Sequence, residues 1–172
     1  MGMDVYGVEP TTEAGEYFRR NVWGWRPLWQ YVENVHPEIA GLVKHGYSND
    51  GDGLDKENAE ILARHLRTDV TNGVVAEYVT ARNKILAELP RETCEYCNGS
   101  GIRTDAVGIE NKMPEHQLEQ AVAIILGRSH GWCNGCRGEG VVDNFTLNYC
   151  LDETDIPEFA EFLEGCGGFR IC

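Results

Sequence analysis

Apolar positions fall into helical stripes through most of the chain, while strand-like alternation is confined to its two ends. Near the start, Asp4-Val5-Tyr6-Gly7-Val8 reads as a short strand. Pro27 suits the first turn of a helix whose Leu28, Tyr31, Val32 and Val35 share one side, and Pro37 interrupts it before a short continuation through Ile39, Leu42 and Val43. After a turn rich in glycine and aspartate, Ser48 to Gly53, Asp55 is a good N-cap for a helix carrying Ile61, Leu62, His65 and Leu66. A further helix from about Gly73 to Leu89 presents Val75, Val79, Ile85 and Leu86 and ends at Pro90. Pro114 to Arg128 repeats the helical pattern with Leu118, Ala121, Val122 and Ile125. Residues 141–149 alternate as a strand, Asp155 and Pro157 open a helix through Phe159, Phe162 and Leu163, and Gly165 to Gly168 end it before a last strand, Phe169 to Ile171. Strands at the ends and helices between predict an α+β fold, mostly helical, with a small antiparallel sheet.

Two octets stand outside this periodicity: Cys94-Glu-Tyr-Cys97-Asn-Gly99-Ser-Gly101 and Cys133-Asn-Gly-Cys136-Arg-Gly138-Glu-Gly140, both CxxCxGxG. A CxxC loop turns two thiolates toward one point, and glycines just after it let the backbone fold back tightly. Two such knuckles surround one tetrahedral ion, so Cys94, Cys97, Cys133 and Cys136 are the expected ligands of one structural zinc. Iron–sulfur ligation is the competing chemistry. A redox dithiol would set one CxxC at a helix start, whereas both copies here run into glycine pairs that favour turns. A closed site of this kind holds a fold together without performing chemistry. The metal would tie down both ends of residues 94–140, a zinc-stapled helical insertion within one domain spanning 1–172.

The octets at 94–101 and 133–140 resemble the CxxCxGxG repeats of the cysteine-rich zinc region of DnaJ/Hsp40 chaperones, in which pairs of repeats share a zinc. That family carries four repeats, two zincs and a J domain that depends on His-Pro-Asp. Here there are two repeats, and His36-Pro37 is followed by Glu38, so the resemblance implies one zinc and no basis for co-chaperone activity. More broadly, the segments at 2–7, 21–29 and 49–54 resemble small proteins of bacteria and their phages. That likeness spans most of the chain and implies a bacterial or phage setting, without an activity to inherit.

Composition narrows the partners. The 172 residues are 42% hydrophobic, enough for one core, and carry a formal charge of -13. Four thiolates and a dication would lower that by a further two, to about -15. Acidic residues outnumber basic ones by 28 to 15, the reverse of what phosphate binding needs, so no nucleic-acid partner is expected. No stretch is apolar enough to span a membrane, and Met1 to Glu9 lack a basic segment followed by an apolar run, which places the expectation in the cytoplasm.

Three other constellations invite a function. Trp23, Trp25, Trp29 and Tyr31 could grip a ligand, but aromatics at this spacing read as core. Asn49, Asp50, Asp52 and Asp55, with His45 nearby, suggest a cation or ligand loop; they miss the EF-hand frame, and a turn leading into an Asp-capped helix explains them equally well. His36, His45, His65, His116 and His130 are scattered without HExxH spacing and read as solvated or helix-surface residues. The leading expectation is a zinc-stabilised, non-enzymatic protein of bacterial or phage origin that presents an acidic surface to a basic protein partner, modulating or inhibiting a host or defence protein. Its rival is a small-molecule binder or enzyme with a cleft beside Ser48 to Asp55.

Overall fold

The computed structural model describes residues 2–112, 122, 125 and 133–172, and the chain gathers into two compact units: Met1–Ala87 with Asn148–Cys172, and Glu88–Leu147. The helix expected over 114–128 lies outside the described residues except for Val122 and Ile125, which are helical and exposed; His116 and His130 also lie outside them.

The first unit is built on an antiparallel sheet in the order β2-β1-β5, with β1 Gly2–Gly7, β2 Tyr17–Asn21 and β5 Phe169–Ile171. Val5 faces Phe18 on one side and Ile171 on the other, so the two ends of the chain are held by one ladder. Beyond β5 the turn segment continues the pairing: Gly51 N–H donates to Ile171 O (2.7 Å), Ile171 N–H to Asp52 O (2.8 Å) and Phe169 N–H to Leu54 O (2.9 Å).

Helix α1, Val22–Val35, begins earlier than Pro27 suggests, because Asn21 caps it by accepting from Gly24 N–H at 2.9 Å. Pro27 sits inside the helix, where the N–H it lacks would have bonded the carbonyl of Trp23 in the first turn. The chain continues through α2 Pro37–Ala40, α3 Lys56–Thr71, α4 Val74–Ala87 and α6 Asp155–Gly165. Helix α5, Ala106–Glu110, belongs to the second unit.

Trp25, Trp29 and Tyr31 are fully buried, and Trp23 is half-buried against Tyr149 with ring centres 4.9 Å apart. The expected aromatic core is therefore present. Trp25 stacks on Trp29 at 5.7 Å, and Phe18, Phe159, Phe162 and Phe169 close around them between sheet and helices. Burying each such ring contributes about 1.5–3 kcal/mol, which outweighs any single surface pair in this unit. Helices α3 and α6 pack along their lengths, with Leu62, Leu66, Phe159 and Leu163 buried. On the rim Arg67 grips Glu164 with both fork nitrogens, at 2.8 and 2.9 Å.

The second unit holds a two-stranded ladder of β3 Glu92–Thr93 and β4 Val141–Val142. The strand read over 141–149 stops after Val142, because Asn144 folds the chain into a 3-10 turn over Phe145–Asn148, its side chain accepting from Thr146 N–H and its carbonyl from Leu147 N–H. The architecture is α+β, with helices predominating and small antiparallel sheets. Among the described residues no helix is long and apolar enough to cross a membrane.

Candidate metal centre

Each CxxC knuckle folds on its own local hydrogen bonds. In the first, Cys97 N–H returns to Cys94 O at 3.3 Å and Ser100 N–H to Cys97 O at 3.0 Å; in the second, Gly138 N–H reaches Cys133 O and Glu139 N–H reaches Cys136 O, both at 3.1 Å. These turns need left-handed backbone at equivalent places. Asn98 and Gly99 have φ of 48° and 84°, and Arg137 and Gly138 have 55° and 82°. Glycine is the residue that takes this conformation without a Cβ penalty.

The last glycine of each octet has a second task. At Gly101 (φ 76°) an added Cβ would lie 2.5 Å from Gly138 O, and at Gly140 (φ 79°) it would lie 2.3 Å from Gly99 O. Each knuckle thus presses its backbone on the other's, and the two glycines are what permit the approach. The contact is sealed by Cys94 N–H donating to Gly140 O at 2.9 Å, and by the β3–β4 ladder that brings the chain into one knuckle and out of the other.

The result is four sulfurs in one place. Cys94, Cys97, Cys133 and Cys136 are all buried, and their Sγ atoms lie within 4.8 Å of one another. Two distances decide what fits: Cys94 to Cys133 is 3.8 Å and Cys97 to Cys136 is 3.7 Å. A disulfide needs about 2.05 Å, so these are separate thiols. A tetrahedron of sulfurs about 2.3 Å from a central ion has edges of about 3.8 Å, so the spacing suits a metal ion at the centre. Backbone donors prepare the site for negative charge, since Gly101 N–H points at Cys97 Sγ (3.3 Å) and Gly140 N–H at Cys136 Sγ (3.2 Å).

The thiols do not share a common acidity. Burial pushes the Cys94 thiol up to about 12 and raises Cys136 as well. At Cys97 burial works in the same direction, but the Gly101 N–H and the neighbouring thiols outweigh it and lower the net value. Sulfurs this close and this buried resist joint ionisation until a cation sits among them. The set could hold a metal ion, and all four ligand directions are supplied by the protein.

An arginine that the sequence did not single out braces this centre. Arg103 lies over the Tyr96 ring at 4.4 Å, donates to both oxygens of Asp105 at 2.7 and 2.9 Å, and reaches Asn134 Oδ1 at 2.6 Å. It therefore links the segment leaving the first knuckle to the loop of the second. Asp105 in turn caps α5 by accepting from Gly108 N–H at 2.9 Å, and the Arg103 fork holds its carboxyl below the usual range. Only the Arg-x-Asp spacing hinted at this, and that spacing alone is too common to read.

The acidic loop is placed differently. Asp52 accepts from His45 N–H and from Gly53 N–H, each at 2.8 Å, and although burial works upward, these donors hold its carboxyl below the usual range. Asp55 accepts from Asn58 N–H at 2.9 Å as the N-cap of α3. Asp50 takes the Ser48 hydroxyl at 2.9 Å and faces His45 Nδ1 at 3.5 Å, while Asn49 donates to Gly2 O at 3.0 Å. These carboxylates use their acceptors to shape a turn and start a helix.

No family model matches this chain, and no match is found among curated proteins or solved structures.

Proposed function

We propose that this chain is a zinc-stabilised, non-enzymatic protein-interaction module whose metal holds the fold and whose acidic surface engages a basic protein partner. The observation that supports it most is the cysteine cluster: four buried thiols, with two of their sulfur pairs at the spacing of zinc–thiolate edges, would fill a tetrahedral ion and leave no coordination position for a substrate. When bound, the ion would supply charge neutralisation and a crosslink between two knuckles that are otherwise joined by a short ladder and turn contacts. Cys94, Cys97, Cys133 and Cys136 would hold it, as in the DnaJ/Hsp40-type repeats that the octets resemble.

The partner half of the proposal rests on charge. A chain at -13 is repelled by phosphate backbones and attracted to basic protein surfaces, and such attraction weakens as salt screens it. A bacterial or phage protein acting on a host or defence component in the cytoplasm is the setting this reading favours. Elemental analysis of the purified protein tests the metal: one zinc per chain is expected, and an iron–sulfur spectrum or a metal-free, fully folded protein would overturn it. A mobility-shift assay tests the charge argument. No duplex or single-stranded nucleic acid should bind at physiological salt, and salt-sensitive binding would move the protein to another class.

A further inference from the structure

The break between α1 and α2 places three polar side chains against one another in an otherwise apolar region. His36 is the single residue between the two helices, held there because Pro37 starts the second. On α3, His65 and Asp69 are four residues apart and so project from the same side. Asp69 is the one buried acid among the described residues, at 8% exposure. Its Oδ2 accepts from the Tyr31 hydroxyl at 2.8 Å and from His36 Nε2 at 2.6 Å.

A carboxylate only accepts, so His36 Nε2 carries the proton given to Asp69, which leaves Nδ1 as the nitrogen with a lone pair for a metal ion. His65 lies alongside with ring centres 5.0 Å apart. Among the described residues neither His36 Nδ1 nor either nitrogen of His65 has a hydrogen-bond partner. Both histidines line a cleft of about 260 Å3 together with Val35, Pro37, Ile39 and Glu38.

We infer that this cleft is a second metal site, for a borderline divalent ion such as Zn2+, with His36 Nδ1 and His65 as its protein nitrogens and Asp69 as the residue that positions His36. Two imidazoles on one tetrahedral ion, with metal–nitrogen bonds of about 2.0–2.1 Å, have ring centres about 5.2 Å apart, close to the observed separation. Ligating histidines characteristically donate their other N–H to a carboxylate, which is the arrangement of His36 on Asp69. Only the cysteines form a converged set of three or more ligand atoms among the described residues, so this site is a two-imidazole one whose remaining positions fall to water. It is open where the cysteine site is closed. The sequence hid it because His36 and Asp69 are 33 residues apart and meet only in the fold.

The test is a titration of the protein that already carries its first zinc, with zinc alone, followed in nitrogen-correlated spectra of the histidine rings. A second equivalent should shift His36 and His65 together in a saturable way, leaving His45 unmoved. His65→Gln, at an exposed position where folding is safe, should weaken this binding at least tenfold. Asp69→Asn, checked for folding by circular dichroism, should weaken it about 10- to 100-fold by removing the carboxylate charge that raises the basicity of the His36 ring. No saturable shift up to millimolar zinc, a shift at His65 alone, or unchanged affinity in a folded Asp69→Asn protein would overturn the site and leave Asp69 as a purely structural link between helices.

Discussion

Gly140 shows how one atom governs the metal centre. Its φ of 79° excludes most side chains, and a Cβ there would meet Gly99 O at 2.3 Å, a backbone atom that cannot rotate aside. Gly140→Ala should therefore cost about 1–3 kcal/mol for the backbone conformation alone, with the clash in addition, and lower zinc affinity. Its neighbour offers the control: Glu139 forms an exposed pair with Arg91, and Glu139→Ala should cost about 0–1 kcal/mol. Thermal melts of the zinc-loaded proteins decide between them. Protonation acts on the same atoms. With burial raising Cys94 to about 12, that thiol is protonated at neutral pH in the metal-free protein, and metal entry must expel its proton. Zinc affinity should then rise with pH by at least about tenfold per unit and fall as acid restores the protons. Competition with a chelator at pH 6, 7 and 8 measures this, and a flat profile would mean that the thiols are already ionised.

At the scale of elements, the start of α3 sets an aspartate that caps a helix beside one that only borders a turn. Asp55 satisfies Asn58 N–H in the first turn, so Asp55→Ala should cost about 1 kcal/mol and leave metal content unchanged. Asp50, exposed beside His45 and Ser48, should cost less than about 0.5 kcal/mol when replaced by alanine. Urea unfolding of both variants checks the order. If added divalent ions stabilised the parent protein and failed to stabilise Asp50→Ala, the loop would be a cation site after all. The helices themselves were legible, since caps and apolar spacing are local properties: Asp55 before α3, Pro37 at the first position of α2, and the glycines that end α6 are all in place. Strand β2 was not legible, because Tyr17 to Asn21 is short and charged and becomes a strand only by pairing with β1. Nor was the 3-10 turn after β4, where the Asn144 bonds override an alternating pattern.

At the scale of the whole molecule, the cysteine cluster and the aromatic core belong to different units, and disrupting one should not dissolve the other. For the zinc-bound protein proposed above, chelation should strip hydrogen-exchange protection from β3, β4 and the two knuckles while leaving β1, β5, α3 and α6 protected, because the core of Trp25, Trp29, Phe159 and Phe169 contains none of the four cysteines. Uniform loss across the chain would mean that the two units fold as one. The sequence by itself determined the fold class, most helices and the four cysteines as a set, because capping, periodicity and a repeated octet are each written within a few residues. It also carried the need for glycine at 99, 101, 138 and 140 as tight-turn positions, though not the close approach that Gly101 and Gly140 permit. Tertiary structure alone decided that Gly101 and Gly140 press on the opposite knuckle, that Arg103 reaches Asn134, and that Asp69 meets His36 and Tyr31. Those are contacts between residues far apart in sequence, whose energies depend on distance and burial, and no local pattern along the chain encodes either quantity.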